Sequence, residues 1–282
     1  MDNSKKVRII VDSSTDMSAR FNDQVEVVPL TVLFGEEEFR DGIDLTRNEF
    51  YRKLESGKDL PKTSQATPAA FEEVFSRLRK DGQEGLVITL SSKLSGTYES
   101  ARMAAEGYPE IRVVDSRNAT VGAGILVEHA LQCAEQGMGL PELAAEIEAM
   151  RERVCLLASL DTLEYLVRGG RISKTAGLAG GILNIKPVVT VEDGTVQVLG
   201  KARGPKKANN FLVEHIERCG VDYSLPILLG YTGTSDDLLQ NYIRNSGSLW
   251  QGHVDELDCA QVCSVIGTHV GPGAVAVAFF KA

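Results

Sequence analysis

Hydroxyl side chains crowd two short stretches of this chain, Thr63–Ser64–Gln65 and Ser91–Ser92–Lys93–Leu94–Ser95–Gly96–Thr97. A histidine, His269, stands in a third, the glycine-rich run 267–273. The apolar run Leu86–Leu90 reads as a buried strand of a parallel sheet, and Thr97–Glu106 has the composition of a helix. Ser95–Gly96–Thr97 therefore falls where a strand ends and a helix begins. Such a junction offers unpaired backbone N–H groups and the positive end of the helix dipole, which suits an anion. Taken alone, Ser95 and Thr97 also read as helix caps, Thr63 as a loop hydroxyl and His269 as a hydrogen-bonded core histidine. His129, His215 and His253 carry no motif and read as surface or packing residues. Arg171 reads as a helix C-terminal cation, and Lys201, Arg203, Lys206 and Lys207 as a solvated face.

The elements that must position these groups follow from pattern. Val7–Val11 reads as a first strand entering the polar turn Asp12–Ser13–Ser14–Thr15–Asp16, and Val25–Leu33 as an extended run broken at Pro29. Thr46 and Glu49 form a capping box, and Thr67–Pro68 opens a helix through Lys80. Ile111–Asp115 reads as a strand and Gly122–Gln136 as a long helix, so the first half is a parallel α/β arrangement. Beyond about residue 153 the pattern changes. Cys155–Leu160 reads as a strand, Thr162–Val167 as a helix, and Val188–Val191 with Thr195–Val198 as a hairpin turning at Asp193–Gly194. A strand–helix unit spans 227–244, and two apolar segments, Val262–Ile266 and Ala274–Phe280, follow. The expectation is an α/β protein of two domains, an amino-terminal parallel sheet over 1–153 and a carboxy-terminal mixed sheet over 154–282.

Composition narrows the function classes. The 282 residues are 43% hydrophobic and 24% charged, with a net charge of −9, which argues against a general nucleic-acid or anionic-membrane surface. No uncharged apolar stretch reaches membrane-spanning length, and residues 1–6 lack a signal-like apolar run. Five scattered cysteines fit a reducing compartment, so a cytoplasmic location is expected. Cys259 and Cys263 lack a cluster of further ligands and read as ordinary thiols, so no metal is expected. No Walker-type lysine loop and no magnesium-holding carboxylate cluster is present, so no ATP chemistry and no cofactor are expected of this chain.

Four patterns stand in order: Lys62–Thr63–Ser64–Gln65–Ala66–Thr67–Pro68, Ser91 to Tyr98, Tyr165–Leu166–Val167–Arg168–Gly169–Gly170–Arg171–Ile172, and Gly267 to Gly273. Together they resemble the DegV family, whose studied members are the fatty-acid-binding FakB subunits of bacterial fatty acid kinase. The resemblance runs from Val11–Asp12–Ser13–Ser14 to His269–Val270–Gly271–Pro272–Gly273. This chain departs from it at Ala66, where many members carry proline, and at Val270, where a small polar residue is common. The resemblance implies a fatty-acid carboxylate held by Thr63, Ser95 and Gly96 near His269, with the acyl chain buried between the two domains. A carboxylate has about four lone-pair directions, which hydroxyls and the Gly96 and Thr97 N–H groups could largely fill. A protonated His269 would lower the cost of burying it. The small-and-apolar stretch 177–185, with Leu178, Ile182 and Ile185, is the expected acyl wall. The resemblance further implies a partner, an ATP-binding subunit similar to dihydroxyacetone kinases that makes an acyl phosphate, with Arg171 and Arg203 docking it. Two other functions fit the residues less well: a serine acyl hydrolase using Ser95 with His269, and a lipid carrier or sensor independent of any kinase. The hydrolase lacks a Gly-x-Ser-x-Gly elbow and an assignable acid.

Overall fold

The computed structural model describes residues 7–57, 60–173 and 184–282. The first strands are β1 (Val7–Asp12), β2 (Val25–Val28), β3 (Thr31–Phe34) and β4 (Glu37–Arg40). Then follow α1 (Arg47–Glu55), β5 (Lys62–Ser64), α2 (Pro68–Lys80), β6 (Glu84–Thr89), α3 (Thr97–Ala105), β7 (Ile111–Asp115), α4 (Thr120–Glu135) and α5 (Leu140–Met150). Next come β8 (Val154–Ser159), α6 (Glu164–Arg168), β9 (Ile185–Glu192), β10 (Thr195–Arg203) and α7 (Pro205–Cys219). The chain finishes through β11 (Leu228–Tyr231), α8 (Asp237–Asn245), α9 (Gly247–Trp250), β12 (Asp258–Gln261), α10 (Ser264–Val270) and β13 (Val275–Phe280).

Local chemistry sets many of these boundaries. Thr46 accepts from the Glu49 N–H while Glu49 accepts from the Thr46 N–H, completing the expected capping box of α1. Thr67 caps α2, with Pro68 in its first turn. Asp193 and Gly194 both take positive φ, +47° and +75°, which lets β9 and β10 pair through a two-residue turn.

Strand order is β2-β1-β6-β7 in a sheet whose pairs are all parallel. The six-stranded sheet runs β10-β9-β8-β13-β11-β12 and is mixed, parallel only between β11 and β12. The parallel and mixed α/β sheets match the expected fold class. A third, antiparallel sheet β4-β3-β5 was not expected. It arises because Pro29 cannot donate to a ladder, so the extended run 25–33 splits between two sheets. Three further readings shift: the strand after α5 begins at Val154, the helix read from Thr162 begins at Glu164, and most of Val262–Ile266 is helical.

α4 is buried on nearly every side, as a helix without a polar face must be. It packs against β1 and β6 of one sheet and β8, β11 and β13 of the other. A Cβ at Gly124 would stand 1.9 Å from the Asp16 carbonyl oxygen, so only glycine allows that approach. Glu128, on α4 and 1% exposed, accepts from the Ser18 N–H at 2.8 Å. Burial raises its carboxyl to about 7. With its folded pKa raised, the native state holds a proton that the unfolded chain releases above its usual value of 4.5. Glu128 therefore favours folding at acid pH, and that contribution is lost as pH climbs from 4.5 through 7. Glu128→Gln should melt higher relative to wild type at pH 8 than at pH 5, by on the order of 2 kcal/mol. Equal differences at the two pH values in calorimetry would contradict this.

Candidate functional site

A cavity of about 390 Å³ opens between the carboxyl-terminal ends of the parallel sheet and one face of the mixed sheet. That volume falls in the range of about 300–1,000 Å³ common to small-molecule sites. Its apolar wall comes from alternate residues of the mixed strands: Leu156 and Ala158 on β8, Val189 and Val191 on β9, Ala276 on β13. Alternate strand residues share a face, so these side chains all point inward. Alanine and glycine positions, Ala158, Ala276 and Gly230, keep the space open. The opposite side is closed by Leu30, Leu90, Val265 and the N-terminus of α4.

Most of the polar lining gathers at one end, while the Thr120, Thr190 and Thr232 hydroxyls are bonded within the protein. Thr63, held opposite Val32 in the β3/β5 ladder, lies 2.9 Å from His269 Nε2. Gln65 covers Gly96: a Cβ there would fall 2.0 Å from Gln65 Oε1, while Gln65 Nε2 donates to Ser100 at 2.9 Å. Ser95 Oγ pairs with Thr97 Oγ1 at 2.9 Å. Arg171 donates to the Leu94 carbonyl through Nε at 3.1 Å and to the Gly169 carbonyl through Nη1 at 2.6 Å. Gly169 in turn supports the His269 ring, whose Nδ1 would be 2.2 Å from a Cβ at that position. Hydroxyls, an amide, a guanidinium and an imidazole thus border one cavity, and the structure brings Thr63, Ser95, Gly96 and His269 together there.

Buried carboxyl groups pin the two loops. Asp12 accepts from the Leu90 N–H at 2.7 Å and the Ser14 N–H at 3.0 Å, fixing the start of the hydroxyl loop. Ser91 Oγ donates to the Gly194 carbonyl at 2.7 Å, tying that loop to the β9/β10 turn. Asp16 accepts from the Cys263 N–H at 3.0 Å and pairs with Arg47 at 3.0 Å, and Asp41 accepts from the Ser264 N–H at 3.3 Å. These bonds anchor the start of α10, which carries His269. Burial raises Asp16 to about 6, against the pull of Arg47.

Electrostatics correct one expectation. Burial, with Arg171 adding to it, lowers His269 to about 4, so its ring is neutral at pH 7. The positive charge at the polar lining belongs to Arg171, not to the histidine. Neutrality constrains the Thr63 contact. If Nε2 carries the proton, it donates to Thr63 and leaves the hydroxyl free to donate into the cavity. In the other tautomer the Thr63 proton is consumed by the ring. The buried Nδ1 has no partner among the described residues, and an acceptor lone pair is the less costly group to leave there.

Leu178 and Ile182 fall outside the described residues. Ile185 begins β9 opposite Arg203 and does not line the cavity, whose apolar wall among the described residues comes largely from the mixed sheet. Strand position decides this, because the wall is drawn from alternate residues further along β9. Arg171 borders the cavity, whereas Arg203 is exposed near the end of β10. Gln65 and the β8, β9 and β13 wall had not been assigned. The alternating alanines of Val275–Phe280 were the available signal. The hydrolase pairing is not formed, since Ser95 engages Thr97 while His269 engages Thr63. Gly96→Ala should displace only the end of the Gln65 side chain, keep the fold, and weaken ligand binding about tenfold in a displacement titration. An unchanged affinity would show that Gln65 and the Gly96 backbone play no part.

Known proteins resemble the chain over nearly its full length. The sequence profile of the DegV family, described as "Uncharacterised protein, DegV family", matches residues 6–282. A DegV domain-containing protein of Caldanaerobacter subterraneus subsp. tengcongensis is 36% identical over 282 residues, covering 98% of this chain and 99% of the relative. A solved DegV family protein from Thermus thermophilus, described by its fatty acid binding, is 31% identical, with a TM-score of 0.87 over 98% of this chain and 100% of that one. A stearic-acid-binding protein from Eubacterium ventriosum is 26% identical, with a TM-score of 0.85 over 98% of each chain. Matched along its whole described length in both sequence and fold, the chain is a member of the DegV family.

Proposed function

We propose that this protein binds a long-chain fatty acid in the cavity, with its carboxylate at the Thr63–Ser95–Gly96 lining and its acyl chain along the mixed sheet. The observation that carries this reading is a cavity with a polar group at Thr63, Ser95, Gly96 and His269 and a largely apolar wall, in which the hydroxyls of Thr120, Thr190 and Thr232 are bonded within the protein. Fatty acid binding by the solved Thermus thermophilus and Eubacterium ventriosum proteins supports it. Each buried methylene contributes about 0.8 kcal/mol, so a sixteen-carbon chain gains on the order of 10 kcal/mol before ordering is subtracted. The acyl chain supplies affinity and the head group orientation. Arg171 offsets the carboxylate's charge, and the Nε2–H tautomer of His269 turns the Thr63 hydroxyl toward it.

Extraction of the natively purified protein followed by mass spectrometry tests this. A long-chain fatty acid near one equivalent is the expected result. A protein that retains none, and that takes up none from added palmitate or oleate, would overturn the reading.

The same reading extends to a cytoplasmic, non-catalytic subunit that presents the carboxylate to an ATP-binding kinase resembling dihydroxyacetone kinases, with Arg171 and Arg203 at the docking face. Loaded protein mixed with such a kinase and ATP should form acyl phosphate, trapped as a hydroxamate. An Arg171→Ala, Arg203→Ala pair, saturated with ligand to offset the weaker binding that loss of Arg171 brings, should support little product. Full turnover by that pair would remove the docking assignment, and no product with any such kinase would leave a carrier that works alone.

A further inference from the structure

We propose that His129, Cys133 and Glu146 form a binding site for a zinc-type divalent transition metal between α4 and α5. His129 and Cys133 are four residues apart, so they project from the same face of α4. Glu146 reaches them from α5, which packs back along α4. The imidazole nitrogen, thiol sulfur and carboxylate oxygen lie within 4.8 Å of one another. The site lies about 13 Å along α4 from the cavity residue Thr120.

The geometry fits a tetrahedral ion. With metal–sulfur and metal–nitrogen bonds of about 2.3 and 2.0 Å, the sulfur-to-nitrogen edge of the tetrahedron is about 3.5 Å. Cys133 Sγ lies 3.6 Å from His129 Nε2, so that edge is already in place. Glu146 Oε1 lies 2.9 Å from the same nitrogen and would move out by about half an ångström.

A purely packing role accounts less well for this convergence. One ring nitrogen can hold one proton or accept one bond, yet both Sγ and a carboxylate oxygen aim at it. A metal ion satisfies all three atoms together. The Phe280 ring, 5.9 Å away and inclined at 60°, packs against the imidazole and limits its rotation. Cys133 is buried, while the His129 and Glu146 side chains are 11% and 36% exposed, leaving water a path to the fourth position.

Ligand type selects the metal. A thiolate with an imidazole favours zinc, cobalt or similar ions over magnesium and calcium, which prefer all-oxygen sites. On binding, the Cys133 thiol gives its proton to solvent and the thiolate sulfur donates a pair to the ion. Thiolate and carboxylate together then neutralise the 2+ charge. This revises the expectation that His129 only packs and that the chain holds no metal.

Cobalt provides the test. Reduced, chelator-treated full-length protein titrated with Co²⁺ should develop a thiolate-to-cobalt charge-transfer band and four-coordinate visible absorption, saturating at one equivalent. Added Zn²⁺ should abolish both. Cys133→Ser should lose the charge-transfer band, and Glu146→Gln, a change at a partly exposed position, should bind cobalt at least tenfold more weakly. A protein without the band at one equivalent, a band that persists in Cys133→Ser, or an unchanged affinity in Glu146→Gln would each overturn the assignment. The Glu146→Gln measurement decides alone should Cys133→Ser fail to fold.

Discussion

Ala158→Phe is expected to empty the protein of fatty acid while leaving it folded. Ala158 stands between Leu156 and Leu160 on the cavity face, where it both lines the cavity and packs against the neighbouring core. A phenyl ring there would occupy the path of the acyl chain. Excluding five methylenes from the cavity would forfeit about 4 kcal/mol, close to a thousandfold in affinity. The ring enters the existing cavity, and any overpacking beside it costs about 1–3 kcal/mol, so the protein should stay folded with a melting temperature lowered by several degrees at most. Ligand extracted after native purification should fall below a tenth of an equivalent. Retention of a full equivalent would mean that the acyl chain does not run along the mixed sheet.

Thr63→Val should separate the head group from the tail. Valine keeps the shape of threonine and the β3/β5 pairing but removes the hydroxyl beside His269. A hydrogen bond to a charged group contributes about 1.5–3 kcal/mol, so affinity for a fatty acid should drop roughly 10- to 150-fold. The long-chain alcohol of equal length has no carboxylate to lose and should bind both proteins alike. Stability should fall by about 1 kcal/mol, since His269 Nε2 loses its partner. If alcohol and acid weaken equally, Thr63 shapes the loop without touching the head group.

Both results bear on how far the residues alone could be read. The capping box of α1, the proline start of α2 and the Asp193–Gly194 turn are bonds among near neighbours, and each formed where its pattern predicted. The hydroxyl loop was equally legible, because a strand end, a glycine and a helix start follow one another in the chain. Arg171 was harder: its bond to Leu94 crosses 77 positions, so nothing beside it announces that it borders a cavity. Among the described residues the apolar wall is assembled from strands whose neighbours are non-consecutive, so no single run of the sequence announces it. His269 shows the same limit in its charge. Its residue type suggests a cation for an anion, but a neutral state follows from burial and the nearby Arg171.

By itself the sequence determined the alternation of strands and helices, their capped ends and the set of hydroxyls able to face an acid. Those depend on backbone dihedrals and bonds spanning a few residues. Tertiary structure decided which sheet each strand joined, where the apolar wall lies, and that the histidine is neutral while the arginine carries the charge. Those depend on burial and on contacts between distant segments, which exist only once the chain has closed around the cavity.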